Sequence, residues 1–201
     1  MGLRAELIRR LLDGKTICQY GRQWVFIGAI VGLKSDVIIG RSLIMKTLIV
    51  YATKHGAAKE IAEKIAEKIP GSTVCDLRGG NIPAISDFDC IIVGGSVYAG
   101  SIRKDAKDFV KHHAGALKLK KIGLFVSGMA KGESEQTFSA NFPIDVVAAA
   151  KVKANLGGIF NPEKAGGFDK IVMKVVTKQS GYMSTISDEQ IEKFVEALKD
   201  A

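Results

Sequence analysis

The segment Met45–Ala62, with the sequence MKTLIVYATKHGAAKEIA, constrains the fold of this chain more than any other. It predicts a buried strand over Leu48–Tyr51, because a strand covered on both faces of a parallel sheet is a short continuous apolar run. A loop at 53–56 follows, and then a helix with isoleucines at helical spacing on one face. This order aims backbone N–H groups and the positive end of the helix dipole at one point. That point is predicted to bind an anion, usually a phosphate.

The loop differs from other common phosphate loops. No Gly-Lys-Ser/Thr follows it, so it is not a Walker loop, and Gly-x-Gly-x-x-Gly is absent, so it is not a dinucleotide fingerprint. Thr53 and Lys54 stand where a response-regulator site would need acidic residues. What remains is a mononucleotide loop around a terminal phosphate, with an ordinary turn without ligand as the alternative. A branched side chain at Gly56 is expected to obstruct this turn.

These residues resemble the first loop of the flavodoxin family, which runs roughly Ser/Thr-x-Thr-Gly-x-Thr. With the family glycine on Gly56, Thr53 takes the first hydroxyl position, while His55 and Ala58 stand where the family usually has threonines. Two hydroxyls are therefore missing. We expect phosphate binding to rest on Thr53, on backbone amides and on Lys54 or His55.

Strands and helices alternate along the rest of the chain, which predicts a parallel sheet with helices on both faces. Further strands are predicted over Ser72–Leu77, Phe88–Val93, Ile122–Val126 and Lys153–Phe160. Further helices are predicted from about Arg103, after Pro143 and from the capping box Ser187–Gln190. The predicted fold is a flavodoxin-like three-layer α/β sandwich with a five-stranded parallel sheet in the order 2-1-3-4-5. That order places a ligand at the switch between strands 1 and 3.

Under this order, the loops after strands 1, 3 and 4 open on the same edge of the sheet. Each is made of glycines or small residues, so backbone can approach a flat ring closely. Together the loops predict a site for FMN, with no metal. Its predicted residues are Thr53, Lys54, His55, Gly56, Ala57 and Ala58; Gly94, Gly95, Ser96, Val97, Tyr98, Ala99 and Gly100; and Ser127, Gly128, Met129, Ala130, Lys131 and Gly132. Tyr98 is the best candidate to stack on the ring, and Met129 and Ala130 would leave its outer face open.

Two segments resemble one particular group within the flavodoxin family. Gly94–Arg103 (GGSVYAGSIR) and Gly157–Lys164 (GGIFNPEK) are similar to the flavodoxin-domain proteins grouped with menaquinone-dependent protoporphyrinogen dehydrogenase. The resemblance spans about residues 45–200. It implies an FMN enzyme that removes hydrogen from a tetrapyrrole and passes electrons to a quinone. The alternative is a flavodoxin-type electron carrier that serves a redox partner protein. No catalytic residue is predicted, because hydride removal by a flavin need not require a general acid or base.

The formal net charge of +8 favours an acidic substrate or an anionic membrane surface, and no motif supports nucleic-acid binding. A predicted helix at 168–178 carries a stripe of three lysines, Lys170, Lys174 and Lys178. Core packing with a solvated basic edge explains this helix. The alternative is a docking face for anionic lipid or for a tetrapyrrole with propionates.

The cysteines indicate the compartment. Cys18, Cys75 and Cys90 are isolated and form no C-x-x-C pair, which suggests a reducing compartment and no metal cluster. We therefore expect a cytoplasmic protein, with peripheral contact to the inner face of the membrane as an alternative.

Residues 1–44 hold seven Lys/Arg against three Asp/Glu and precede the predicted FMN-binding domain at 45–201. Their apolar run, Trp24–Leu33, is well below the roughly 20 residues needed to span a bilayer. Since Met45 begins the first strand so cleanly, this N-terminal extension is interpreted as a mis-assigned start or a disordered segment. A peripheral membrane tether and an export signal are the alternatives.

A variant that begins at Met45 should remain folded and retain FMN, because the opening strand needs only Lys46–Tyr51 and the extension offers no group to the phosphate loop. The absorption spectrum of the bound flavin measures this. An insoluble variant, or one that loses FMN, would show that the extension packs on the domain.

Overall fold

The computed structural model describes residues 15–20, 23–28, 45–98, 100–129, 134–160 and 181–200. The chain forms two compact units, Met1–Ile44 and Met45–Ala201. In the first unit, strands β1 (Lys15–Tyr20) and β2 (Gln23–Gly28) pair in an antiparallel manner. The sequence analysis predicts no strand in this unit.

The second unit alternates strands and helices. Its strands are β3 (Thr47–Ala52), β4 (Thr73–Asp76), β5 (Cys90–Tyr98), β6 (Ser101–Ile102), β7 (Lys121–Ser127), β8 (Val152–Asn155), β9 (Ile159–Phe160) and β10 (Met183–Ser184). Its helices within the described ranges are α1 (Ala57–Lys68), α2 (Lys104–Leu117), α3 (Ser134–Asn141), α4 (Ile144–Ala149) and α5 (Asp188–Asp200). A short 3-10 helix spans Ile85–Asp87.

Five strands form a parallel sheet in the order β4-β3-β5-β7-β8. With only these five parallel strands numbered along the chain, this is the order 2-1-3-4-5, so the predicted flavodoxin-like α/β fold is confirmed. Strand β6 adds a short antiparallel pairing at the end of β5 that was not predicted. Strand β3 is buried along its whole length, which explains its unbroken apolar run.

Alternating side chains of β3 enter two separate cores, one on each face of the sheet. Leu48 and Val50 pack with residues of α2, α3 and α4, whereas Ile49 packs with Ile61 of α1 and Phe194 of α5. All five side chains are at most 2% exposed. Burial of one such side chain stabilises the fold by about 1.5–3 kcal/mol. The second unit therefore has three layers, with helices on both faces of the sheet.

The central strand β5 is longer than the sequence analysis predicts. The apolar run ends at Val93 and a loop is expected over 94–101, but the strand continues to Tyr98. Gly94 and Gly95 lie inside the ladder, paired with β3 on one side and β7 on the other. Neighbouring strands on both sides supply hydrogen bonds that a local sequence pattern does not reveal.

The two glycines of β5 make room for neighbouring side chains. A Cβ on Gly94 would lie 1.9 Å from Cζ of Phe125, and a Cβ on Gly95 would lie 2.6 Å from Cγ2 of Ile102. Phe125 and Ile102 are both at most 2% exposed. Close packing inside the protein therefore requires glycine at both positions.

The predicted last strand, at 153–160, is two separate strands. Strand β8 ends at Asn155, and β9 pairs in an antiparallel manner with β10 instead. Gly157 lies between them with a φ of +91°, a conformation that favours glycine. Helix α3 was not predicted, because its sequence SEQTFSAN holds a single large apolar residue, Phe138, and no apolar period.

The other predicted helices are confirmed. Helix α2 begins one residue after Arg103, and α4 directly follows Pro143. Helix α5 begins after Ser187, whose Oγ accepts a hydrogen bond from the Gln190 N–H at 3.3 Å. The predicted helix at 168–178 lies outside the described residues. Within the ranges given above, no helix is long and apolar enough to cross a membrane.

The substitution Gly94→Ala should destabilise the protein by about 1–3 kcal/mol, because the new methyl group collides with the buried Phe125 ring. Urea unfolding followed by circular dichroism measures the change. The control is Gly115→Ala in α2, where a Cβ meets no atom within 4 Å. That change should stabilise the helix by about 0.5–1 kcal/mol. Equal stability of the two variants would contradict the packing role of Gly94.

Candidate functional site

The hydroxyl of Thr53 closes the first predicted loop. Thr53 directly follows β3 and is 4% exposed. Its Oγ1 accepts a hydrogen bond from the Gly56 N–H at 2.9 Å, which folds the loop back on itself. Gly56 is the N-cap residue of α1 and has a φ of +96°. A Cβ on Gly56 would meet no protein atom within 4 Å. The expected steric obstruction of the turn by a side chain at this position is therefore not seen among the protein atoms. Glycine is required here because of the positive φ.

The N-terminus of α1 presents a set of backbone donors beside this loop. Within the helix, the Glu60 N–H donates to the Gly56 carbonyl at 3.0 Å, and no side chain caps the helix. The amides of Ala57, Ala58 and Lys59 precede that bond and have no acceptor inside the helix. With the positive end of the helix dipole, they form a donor set that fits a phosphate. Ala58 is fully buried in the core, so it would contribute its amide alone.

The end of β5 meets the first loop. Thr53 Oγ1 lies 3.2 Å from Ser96 Oγ, within hydrogen-bond distance. Tyr98, the last residue of β5, is 40% exposed, and Lys54 Nζ lies 5.0 Å from the centroid of its ring. This is the geometry of a cation–π interaction. The structure thus brings Thr53, Lys54, Ser96 and Tyr98 together, with His55 half-buried in the same loop.

The third predicted loop begins beside the other two. Ser127, the last residue of β7, is 3% exposed and pairs with Ser96 of β5. A Cβ on Gly128 would lie 3.4 Å from Cβ of Val97, so the loop runs close along the end of β5. Met129 follows and is half-buried. Four of the predicted site residues lie outside the described part of the chain, namely Ala99, Ala130, Lys131 and Gly132.

Residues later in the chain contact the third loop. These contacts were not predicted from the sequence. The Gly128 N–H donates to the Gly157 carbonyl at 3.2 Å. Thr185 Oγ1 accepts the Gly158 N–H at 3.0 Å, and its single hydrogen has two acceptors within reach, the Gly158 carbonyl at 3.4 Å and Met129 Sδ at 3.7 Å. A Cβ on Gly157 would lie 2.1 Å from the carbonyl oxygen of Thr185. The glycine pair is visible in the sequence, but Thr185 carries no local signal, because its partners are distant along the chain.

An ion pair lies at the end of β4, the neighbour of β3. Arg78 donates to both carboxylate oxygens of Asp76, from Nη2 at 2.9 Å and from its backbone N–H at 2.9 Å. These bonds hold the pKa of Asp76 below its ordinary value. The carboxylate therefore stays ionised near neutral pH and is poorly suited to act as a general acid. In the part of the chain that the structure describes, no three His, Cys, Asp or Glu residues are grouped to hold a metal ion.

The family model of the flavodoxin domain matches residues 48–187, and this chain belongs to that family, whose cofactor is FMN. Two curated relatives align with it. Protoporphyrinogen IX dehydrogenase (quinone) of Escherichia coli strain K12 is 22% identical over 147 residues, covering 68% of this chain and 81% of the relative. The flavodoxin of Helicobacter pylori strain 26695 is 30% identical over 157 residues, covering 75% of this chain and 94% of the relative.

A solved structure shows the same fold. Oxidised flavodoxin 2 from Bacillus cereus superposes with a TM-score of 0.50 at 22% identity, covering 77% of this chain and 98% of that protein.

The substitution Gly56→Val should weaken FMN binding by at least tenfold, because a β-branched residue is strained at a φ of +96° and would displace the loop amides. Titration of flavin fluorescence measures the affinity. The control is Gly80→Val, since Gly80 also has a positive φ, +74°, and open space around its Cβ. Comparable loss of FMN in both variants would point to general destabilisation and contradict a role for the first loop.

Proposed function

We propose that this protein is an FMN-dependent oxidoreductase that dehydrogenates protoporphyrinogen or a similar organic donor and passes the electrons to a quinone. The observation that carries the proposal is the meeting of the first loop with the ends of β5 and β7 at one edge of the sheet. Thr53 Oγ1 lies 3.2 Å from Ser96 Oγ, and Ser96 pairs with Ser127. This is the edge at which open α/β sheets bind ligands, where the strand order reverses.

The first loop and α1 would hold the phosphate. Because Thr53 Oγ1 already accepts the Gly56 N–H, its own hydroxyl hydrogen is left to donate to Ser96 or to a phosphate oxygen. The amides of Ala57, Ala58 and Lys59 would supply the remaining donors. Backbone groups thereby replace the two hydroxyls that the family usually places at His55 and Ala58.

The second and third loops would hold the isoalloxazine ring. Stacking on the exposed ring of Tyr98 contributes about 0.5–1.5 kcal/mol beyond burial. The backbone of Gly128 and Met129 would run along the edge of the flavin, with the Gly128 N–H bonded to the Gly157 carbonyl at 3.2 Å. FMN, when bound, supplies the electron-transfer chemistry. Met129 presents a thioether where an aromatic side chain would cover the outer face, which favours access of a flat organic substrate.

Two observations favour a tetrapyrrole substrate and a quinone acceptor. The Escherichia coli relative is named for protoporphyrinogen IX and quinone, and it is 22% identical. The formal net charge of residues 45–201, 22 Lys/Arg against 18 Asp/Glu, is +4, which also favours an anionic substrate or contact with an anionic membrane surface that holds a quinone.

The second candidate function is that of an electron carrier for a redox partner protein. The Helicobacter pylori relative, at 30% identity, is named flavodoxin. In either case we assign the FMN site to residues 45–201 and treat residues 1–44 as an extension that flavin binding does not need.

The purified protein should be yellow and should release FMN rather than FAD on denaturation, since the first loop suits a terminal phosphate. Mixed with protoporphyrinogen and a soluble naphthoquinone, it should form porphyrin, which is measured by its fluorescence. The protein stripped of FMN is the control for non-enzymatic oxidation, and Gly56→Val, with its weakened FMN binding, should form porphyrin more slowly at limiting FMN.

A protein that binds FMN but forms no porphyrin would instead be the carrier if its bound flavin is reduced one electron at a time in a redox titration. A colourless protein that takes up no FMN would overturn both candidate functions.

A further inference from the structure

Asn141, the last residue of α3, is bonded to the hairpin that carries Tyr98. Its Nδ2 donates to the Gly100 carbonyl at 2.9 Å and to the Thr137 carbonyl at 2.8 Å. Its Oδ1 accepts the Ile102 N–H at 3.0 Å. Both amide hydrogens and the carbonyl oxygen are thus engaged, which is nearly the full capacity of this side chain.

The hairpin depends on outside support because it is small. Strand β6 has two residues, and its pairing with β5 places Tyr98 opposite Ser101. The turn passes through Gly100, whose φ is +74°. Among its described residues, only two pairs join the two strands of the hairpin. The bonds from Asn141 to Gly100 and Ile102 therefore hold the turn at two points.

Helix α3 is packed on the core, and this packing fixes the position of Asn141. Phe138, three residues before Asn141, is fully buried, and its ring stacks on Phe142 with 6.3 Å between the centroids. Both phenylalanines belong to the core that also holds Ile102. The end of α3 and the hairpin are therefore both packed on the same core. At the surface of that core, Asn141 links the backbone of α3 to the backbone of the hairpin by hydrogen bonds.

The geometry points to Asn141 as a positioning residue that sets the orientation of the Tyr98 hairpin, and with it the ring end of the flavin site. This inference rests on the proposed function. The phosphate end is organised separately, by the Thr53–Gly56 bond and the N-terminus of α1. Asn141 should therefore affect binding of the isoalloxazine ring and leave binding of the phosphate unchanged.

Riboflavin, which has the ring but no phosphate, separates the two ends. Asn141→Ala should weaken FMN and riboflavin binding by the same factor, roughly tenfold for the loss of the two hairpin bonds. Gly56→Val should weaken FMN binding much more than riboflavin binding. Fluorescence titration of each flavin gives the affinities, and circular dichroism confirms that each variant is folded.

Two further variants sharpen the test. Asn141→Asp keeps the acceptor for the Ile102 N–H but places a carboxylate oxygen against the Gly100 and Thr137 carbonyls, so both flavins should bind at least as weakly as in Asn141→Ala. Ser139→Ala is the matched control, because its hydroxyl donates within α3 to the Glu135 carbonyl at 3.0 Å. It should bind both flavins as the wild type does.

Unchanged riboflavin binding by folded Asn141→Ala and Asn141→Asp proteins, with the wild type binding both flavins, would overturn this inference alone. A loss of affinity for FMN with no loss of affinity for riboflavin would also overturn this inference, since it would place Asn141 at the phosphate end. Failure of the wild type to bind either flavin would overturn the proposed function and this inference with it.

Discussion

The parallel register of β3, β5 and β7 is the constraint on which the rest of the structure depends. Each of these strands has a hydrogen-bonded neighbour on both sides, and their pairing brings Thr53, Ser96 and Ser127 to one edge of the sheet. A parallel strand must be followed by a crossover, and the first crossover is supplied by α1. Its N-terminus therefore opens at the same edge, where its free amides and dipole favour an anion.

The glycines near this edge have two different physical roles. Gly94 and Gly95 leave space for Phe125 and Ile102, so they stabilise the sheet that supports the site. Gly56 has open space around it but a positive φ, so it permits the loop conformation itself. A glycine-rich sequence thus does not by itself mark a surface that meets a ligand.

The strand register brings the loops together, and segments that are distant along the chain contact them through hydrogen bonds. Thr185 Oγ1 lies within reach of Met129 Sδ in the third loop, and Asn141 bonds to the Tyr98 hairpin. By contrast, the ion pairs that join α1 to α5, Lys64–Asp188 and Lys68–Glu192, are largely exposed. Exposed pairs of this kind contribute at most about 1 kcal/mol. The two buried cores therefore supply the stability, and a few polar side chains supply the positioning.

The sequence by itself determined the parallel α/β class and the loop at Thr53, because burial leaves apolar runs and helical periods that can be read locally, while the strand order followed from the resemblance to flavodoxins. The sequence could not determine that β5 runs on through Gly94 to Ser96, since the ladder partners of these residues belong to strands that are remote along the chain. Tertiary structure alone decided that Asn141 lies against the Tyr98 hairpin and Thr185 against Met129. These contacts join residues about 40 and 56 positions apart, and such contacts leave no periodic pattern in the sequence.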